Sequence, residues 1–343
     1  MVKRRDVAKL AGVSEVTVSR VFNETVAVSF EKQILVREAA NQLGYSPNQV
    51  ASSLRRNSTK QLLLLLSKID YENPYYIELF KGVIKHAESA GYLVSSCTIA
   101  SVSVILKKIY DGIIIPNGYI KPEELKKSIQ VPTVVYGGGE EQAYPWIENI
   151  TIDTGLALEL MIGHLREAGH TRIGFALSHN EYLAKVSLVE RYKRYINIMR
   201  GVFGESINSY IFGIDETSIK NATDDNFDHF SFGKRAAEQI YEKKPDITAV
   251  VCFNDEVALG LIWRLQSLGV RVPDDLSVGG IDGIRQGAYC TPPLTTVKLP
   301  AFQLGEECAK RLINKIKGNV TNYSINTTLD MEVLSRGSVK FIK

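Results

Sequence analysis

Beyond residue 60 the chain alternates short strand-like apolar runs with longer amphipathic stretches, and no other feature limits its possible folds so strongly. The runs occupy 62–66, 93–97, 112–115, 133–136, 173–177, 249–253 and 277–281, with helical periodicity at 76–91, 156–169, 232–243 and 256–269. Strands of this kind need cover on both faces, and intervening helices supply it, so the pattern predicts parallel sheets flanked by helices. The stretch from 61 to 343 is long for one such unit and suits two doubly wound lobes. Ligands of these sheets sit beyond the carboxyl ends of the strands, which makes the space between two lobes the natural site.

The first 60 residues do not share that rhythm. Asp6-Val7-Ala8-Lys9-Leu10-Ala11 spaces apolar residues as a helix does, and Gly12 suits the positive φ at which such a helix stops. Ser14 is a natural N-cap for a second helix, with Val18, Val21 and Phe22 inward and Glu15, Val16, Thr17 and Arg20 outward. Ser29 is placed to cap a third, through Ile34, Val36, Ala39, Ala40 and Leu43 to Gly44, closing an all-α three-helix core. Two short helices across a glycine turn form the helix-turn-helix pattern, whose second helix enters the DNA major groove. Charge agrees: residues 1–60 hold ten Lys and Arg against five acidic residues, whereas the whole chain is only +3. Such a basic head predicts steeply salt-dependent DNA binding.

Other classes of function find little support. No uncharged apolar run approaches the roughly 18 residues of a membrane helix, and Met1-Val2-Lys3-Arg4-Arg5-Asp6 leads into no secretory apolar core. A soluble, cytoplasmic protein with no membrane partner is expected. Cys97, Cys252, Cys290 and Cys308 show no C-x-x-C spacing, so reduced, buried thiols are expected rather than zinc ligands or disulfides. The G-x-G-x-x-G, G-x-x-x-x-G-K-[ST], G-x-S-x-G and H-E-x-x-H motifs are missing. His164 and His170 lie six apart, off the spacing of one helical face, and read as surface or cap histidines. No catalytic residue, cofactor or metal is therefore expected.

The residues 6–14 just described, then Thr17-Val18-Ser19-Arg20-Val21-Phe22-Asn23 and Leu43-Gly44-Tyr45-Ser46-Pro47-Asn48, resemble the signature of the LacI/GalR family of bacterial transcription regulators. The resemblance implies that Glu15 and Val16 set base preference on a scaffold of Ser14, Thr17, Arg20 and Asn23. Glu15 could accept from cytosine, Val16 meet a thymine methyl, and Arg20 fork onto guanine or clamp a phosphate; a solvated helix face is the plainer reading of Glu15. Asn48-Gln49-Val50-Ala51-Ser52-Ser53-Leu54-Arg55-Arg56 is similar to the family's hinge helix. That implies DNA contacts from Ala51, a minor-groove wedge at Leu54 and phosphate contacts from Arg55.

The body resembles the family's effector domain, itself similar to periplasmic sugar-binding proteins, through Asn73-Pro74-Tyr75-Tyr76, Gly169-His170-Thr171-Arg172-Ile173, Asn254-Asp255-Glu256-Val257-Ala258-Leu259-Gly260, Gly280-Ile281-Asp282 and Pro293-Leu294-Thr295-Thr296-Val297. The implied organisation is a DNA-binding domain at 1–47, a hinge and linker at 48–60, and an effector and dimerisation domain at 61–343. Its first lobe is expected at about 61–156 and 289–320, its second at about 157–288 and 321–343, with crossings near 156, 288 and 320. Family positions place effector contacts at Tyr75 and Tyr76 in the first lobe and at Arg191, Asn254 and Asp282 in the second. A stacking aromatic is expected from 226–230, either Phe227 or Phe230. Carboxylate, guanidinium and aromatic rings suit a mono- or oligosaccharide; the alternatives are a purine or nucleoside, or a protein corepressor. Two departures stand out: Tyr136-Gly137-Gly138-Gly139 lacks an acidic residue that some sugar-responding members have, and Arg194 occupies a usual glycine position. The whole implies a repressor that binds a pseudo-palindromic DNA operator as a homodimer under control of a small sugar.

Overall fold

The computed structural model describes residues 2–23, 27–45, 58–66, 73–98, 109–116, 131–137, 147–150, 152–177, 187–213, 228–319 and 329–342. The chain divides at residue 60 into two units. In the first, α1 (Arg4–Leu10), α2 (Glu15–Asn23) and α3 (Phe30–Leu43) close on Val7, Ala8, Ala11, Val18, Val21, Val36, Ala39 and Ala40. Gly12 and Gly44 take the left-handed conformation, φ +64° and +63°, where a β-carbon would be strained. Two expectations need correction. Ser29 occupies the N-cap position of α3 without making a side-chain capping bond. Ile34 is 41% exposed, because α3 turns Val36, Ala39 and Ala40 inward instead.

The second unit contains two parallel-sheet α/β lobes. The first sheet has the order β2-β1-β3-β4-β5, from β1 (Gln61–Leu66), β2 (Leu93–Thr98), β3 (Gly112–Pro116), β4 (Thr133–Tyr136) and β5 (Glu148–Ile150), parallel throughout. The leucine run of β1 explains its central place: Leu62, Leu64 and Leu66 enter one core while Leu63 and Leu65 enter the other. The second sheet has the order β11-β10-β9-β8-β6-β7, from β6 (Ile173–Ala176), β7 (Ile211–Phe212), β8 (Ala249–Cys252), β9 (Ser277–Asp282), β10 (Thr295–Lys298) and β11 (Glu332–Leu334). Among the described residues only β11, at its edge, runs antiparallel. The helices are α4 (Pro74–Ser89), α5 (Thr154–Glu167), α6 (Ser187–Phe203), α7 (His229–Lys243), α8 (Asp255–Ser267) and α9 (Ala301–Ile316).

Core membership locates the lobe crossings. Ile152 belongs to the first lobe and Ala157 to the second. The second crossing lies later than 288: β10 still pairs with β9, and the change of lobe falls between Leu299 and Ala301. The third lies later than 320, since Leu329 packs on the first core, Met331 on both, and Val333 on the second.

Each lobe joins two helices through a reciprocal pair of glycines. A β-carbon on Gly82 of α4 would overlap the Phe302 carbonyl of α9, and one on Gly305 of α9 would overlap the Leu79 carbonyl of α4. In the second lobe Gly233 of α7 meets the Val257 carbonyl of α8, and Gly260 of α8 meets the Phe230 carbonyl. The helices cross at backbone contact, so no side chain can yield. Gly305→Ala is expected to lose about 1–3 kcal/mol in urea denaturation, the usual scale of overpacking. Gly163→Ala on α5, where a β-carbon meets open space, should be neutral or stabilising. Equal stability of the two variants would refute the close crossing.

Candidate functional site

The head presents α2 as its polar element. The Ser14 hydroxyl accepts the Thr17 backbone N–H at 3.1 Å and pairs with the Thr17 hydroxyl at 2.9 Å, capping the helix as its sequence predicts. Glu15 accepts from Arg4 Nε of α1 at 3.2 Å; both are solvent-exposed, so the bond is weak enough to yield to another partner. Val16 is 58% exposed, and Arg20 is exposed beside it on α2. Asn23 ends α2, but its side chain lies outside the described residues, as do Ala51, Leu54 and Arg55.

In the body, Asn73 caps α4 by accepting the Tyr75 N–H at 2.9 Å, with Pro74 at the first helical position. The Tyr75 and Tyr76 rings meet edge to face, 5.1 Å apart at 87°. Tyr75 packs against the cores of both lobes, so it stands where they meet.

Arg191, on the first turns of α6, is buried. Its Nη1 donates to the Phe253 carbonyl at 2.5 Å, and its guanidinium lies 4.2 Å from the Phe253 ring centroid. Its Nε is also buried, with no hydrogen-bond partner among the described residues. Phe253 follows β8, and Asn254 next to it caps α8 by accepting the Val257 N–H at 2.9 Å. That bond uses the Asn254 oxygen and leaves its amide nitrogen outside the cap.

Asp282, the last residue of β9, has φ +129° and is followed by Gly283 at +74°. A non-glycine residue holds such a conformation only where its surroundings impose it. Here the imposing group is Asp255, fully buried at the start of α8. It accepts from Thr296 Oγ1 at 2.5 Å, from the Ile284 N–H at 2.8 Å, and from the Gly283 N–H. Burial pushes the Asp255 carboxyl up to about 6, against those three bonds, which pull it down. Burial also raises Asp282 well above the carboxylate range; Arg191 opposes the rise, and Asp255 and Glu256 reinforce it.

The structure therefore gathers Arg191, Asn254 and Asp282 at the carboxyl edge of the second sheet, with Tyr75 at the lobe boundary. Phe230 is not brought to this group. Its ring is 37% exposed and lies 6.1 Å from that of Trp263, because α7 turns Phe232 and Gly233 inward; Phe227 lies outside the described residues. The neighbour of Phe230 is more informative. His229 Nδ1 is buried without a hydrogen-bond partner among the described residues. Burial and the Arg191 charge push its imidazole down to about 4, against the attraction of Asp228. Sequence reasoning searched 226–230 for aromatic rings alone; the available signal was a histidine directly after the helix N-cap, Asp228.

His170 is not a surface histidine: it is buried, bonding Thr248 Oγ1 and the Lys340 carbonyl, each at 2.9 Å. Arg194 reaches Glu159 at 2.7 Å and Asp153 at 3.4 Å, beside the first lobe crossing. All four cysteines are free, Cys252 and Cys308 buried and the other two partly so. Among the described residues no cluster could hold a metal, and no helix is long and apolar enough to cross a membrane.

Residues 5–48 match the model of the bacterial regulatory proteins, lacI family, and residues 162–339 that of the periplasmic binding protein-like domain. The chain belongs to the lacI family. Among its family relatives it is 32% identical to the HTH-type transcriptional repressor PurR of Vibrio atlanticus (strain LGP32) over 98% of both chains. It is 31% identical to the protein of that name from Actinobacillus pleuropneumoniae serotype 3 (strain JL03), again over 98% of both. The fold is shared with the lac repressor dimer bound to operator and the anti-inducer ONPF, with TM-score 0.77, 23% identity and 99% of both chains covered. It is shared also with the transcriptional regulator CelR–cellobiose complex, with TM-score 0.68, 24% identity, and 98% and 100% covered. As a lacI-family member the chain is a DNA-binding transcriptional regulator, with its helix-turn-helix in α1 and α2.

Asp255 supplies a pH test of this arrangement. Its carboxyl sits near 3.8 when exposed and at about 6 when folded, so the folded state holds the proton more tightly. Wild-type stability should therefore fall as pH rises through that window. Asp255→Asn keeps an acceptor for the backbone N–H groups and a donor for Thr296, but does not titrate. From pH 4 to 7 its stability relative to wild type should climb by on the order of 3 kcal/mol in urea titrations. A flat difference would show that the carboxyl is not held in this environment.

Proposed function

We propose that this lacI-family regulator is a repressor that binds a pseudo-palindromic operator as a homodimer, and that a small uncharged ligand between the lobes controls its operator affinity. One observation carries the ligand reading: Arg191 is buried at the edge of the second sheet with a donor unmet among the described residues, beside the elevated carboxyl of Asp282. One cation, one carboxyl that resists ionisation and a neutral imidazole offer both donors and acceptors, which a neutral polar molecule can match. Tyr75 and Tyr76 offer apolar ring surface from the first lobe. A mono- or oligosaccharide meets these requirements with hydroxyls and an apolar ring face.

A purine or nucleoside is the second reading. Relatives at 31–32% identity over 98% of the chain carry the name PurR, and a nucleobase also offers donors and acceptors around a flat ring. Operator contact is assigned to Glu15, Val16 and Arg20 on the scaffold of Ser14, Thr17 and Asn23, with Ala51, Leu54 and Arg55 in the hinge. The ligand acts on DNA binding to the extent that it prefers one of two lobe arrangements.

Thermal-shift titration against neutral saccharides and nucleobases separates the two readings. A bound compound at 100 times its dissociation constant adds about 2.7 kcal/mol. Asp282→Ala should abolish the shift and leave operator affinity intact; a retained shift would remove Asp282 from the site. At the hinge, Leu54→Ala should weaken operator binding more than binding to random duplex, as expected of a wedge that stabilises one bent sequence. Equal losses on both DNAs would remove that role.

A further inference from the structure

We propose that His229 is a specificity-determining residue of the ligand site, its Nδ1 hydrogen-bonding the ligand next to the atom that Arg191 Nε contacts. The inference rests on the ligand site proposed above and adds to it a third polar contact, one that selects the ligand's hydrogen-bonding pattern.

Three observations lead to it. First, α7 precedes β8, which is parallel to its neighbours in the sheet. Its N-terminus therefore lies at the carboxyl edge, where Arg191 and Asp282 also are, and His229 is its first residue. Second, His229 Nδ1 and Arg191 Nε are both buried without a hydrogen-bond partner among the described residues. Buried polar atoms are nearly always paired in native proteins, so two unmet atoms on side chains near enough for the Arg191 charge to act on the imidazole point to one missing partner. Third, burial keeps the imidazole neutral, and the Arg191 charge adds to that against the attraction of Asp228. A buried Nδ1–H without an acceptor would be left unmet beside a cation, and the tautomer with its lone pair on Nδ1 is the one the proposal takes. The site then has an acceptor at His229 beside a donor at Arg191.

This pairing reads a particular chemistry. A single hydroxyl can accept from Arg191 Nε and donate to His229 Nδ1; so can an adjacent carbonyl and N–H of a nucleobase. A carboxylate or phosphate only accepts, and would leave Nδ1 facing a negative atom. His229 should therefore select ligands that donate as well as accept, and exclude purely anionic ones.

The test uses the full chain with His229→Leu and His229→Asn. The probes are D-glucose, cellobiose, hypoxanthine, guanosine and, as an anion, glucose 6-phosphate. Without ligand, His229→Leu should melt about 2–4 °C above wild type, because it removes an unmet buried polar atom. A fall in its melting temperature would show that the imidazole is already satisfied within the fold and would overturn the proposal. A neutral probe that shifts wild type should bind His229→Leu at least tenfold more weakly, with partial recovery in His229→Asn, which keeps an acceptor near the Nδ1 position. An unchanged shift in His229→Leu would overturn the proposal and leave the ligand site standing. A shift by the phosphorylated sugar alone would overturn it too. Silence from every neutral probe would count against the ligand reading, whereas the ligand-free melting temperatures would still decide for or against His229.

Discussion

A guanidinium inside the second lobe organises the candidate site. Arg191 is charged at any physiological pH, and it sits where one of its nitrogens reaches neither water nor a described partner. Its burial is compensated locally by the Phe253 carbonyl and the face of the Phe253 ring. The charge then acts on its surroundings, restraining the upward shift of Asp282 and pushing His229 down. Burial is the larger influence on both neighbours, and the Arg191 charge adds to it at His229 and opposes it at Asp282. The site thus keeps the single Arg191 charge beside two groups that resist ionising, and is rich in directional hydrogen-bonding capacity.

Position within the site comes from a second buried charge, Asp255. It accepts from the Gly283 and Ile284 N–H groups and from Thr296, joining the start of α8 to the end of β9 and to β10. That explains how Asp282 can hold φ +129°: the two residues after it are held by a carboxylate that has nowhere else to go. The glycine at 280 belongs to the same arrangement, because a side chain there would overlap the Asp255 oxygen. From β10 the chain passes through Leu299 and Ala301 into the first lobe. A ligand that displaces Asp282 therefore acts on a segment joined, through Thr296, to one of the lobe crossings. This is the physical continuity that coupling between a ligand and a distant surface requires.

Much of this was legible in the sequence. The central strands β1, β3, β4, β6, β8 and β9 announced themselves as apolar runs because they are covered on both faces, and the head because capping and turn residues have local causes: Ser14 caps α2, and Gly12 takes positive φ. The edge strands β5, β7 and β11, of two or three residues, are too short to carry such a pattern, whereas the six-residue edge strand β2 was legible. The crossings at 288 and 320 were placed too early because β10 and Leu329 are held by tertiary partners, with no break in composition. Ile34 failed for a related reason: on a short helix two faces compete for the core, and packing against α1 and α2 decided it.

The histidines show most directly where composition stops informing. His170 and His229 look alike in a sequence, each a polar residue near an element boundary. In the fold one is saturated, with both ring nitrogens bonded to Thr248 and Lys340, so it acts as a bracket between β6 and the C-terminal segment. The other has a buried nitrogen with no partner and a cation for a neighbour. Burial favours the neutral ring in both, so the shift alone does not distinguish bracket from binding group. The distinction lies in whether the hydrogen bonds are already made, and only the three-dimensional neighbourhood contains that information. Phe230 makes the same point from the other side: it has the chemistry to stack on a ring, yet α7 turns it to Trp263, and the adjacent His229 is the residue that feels the Arg191 charge.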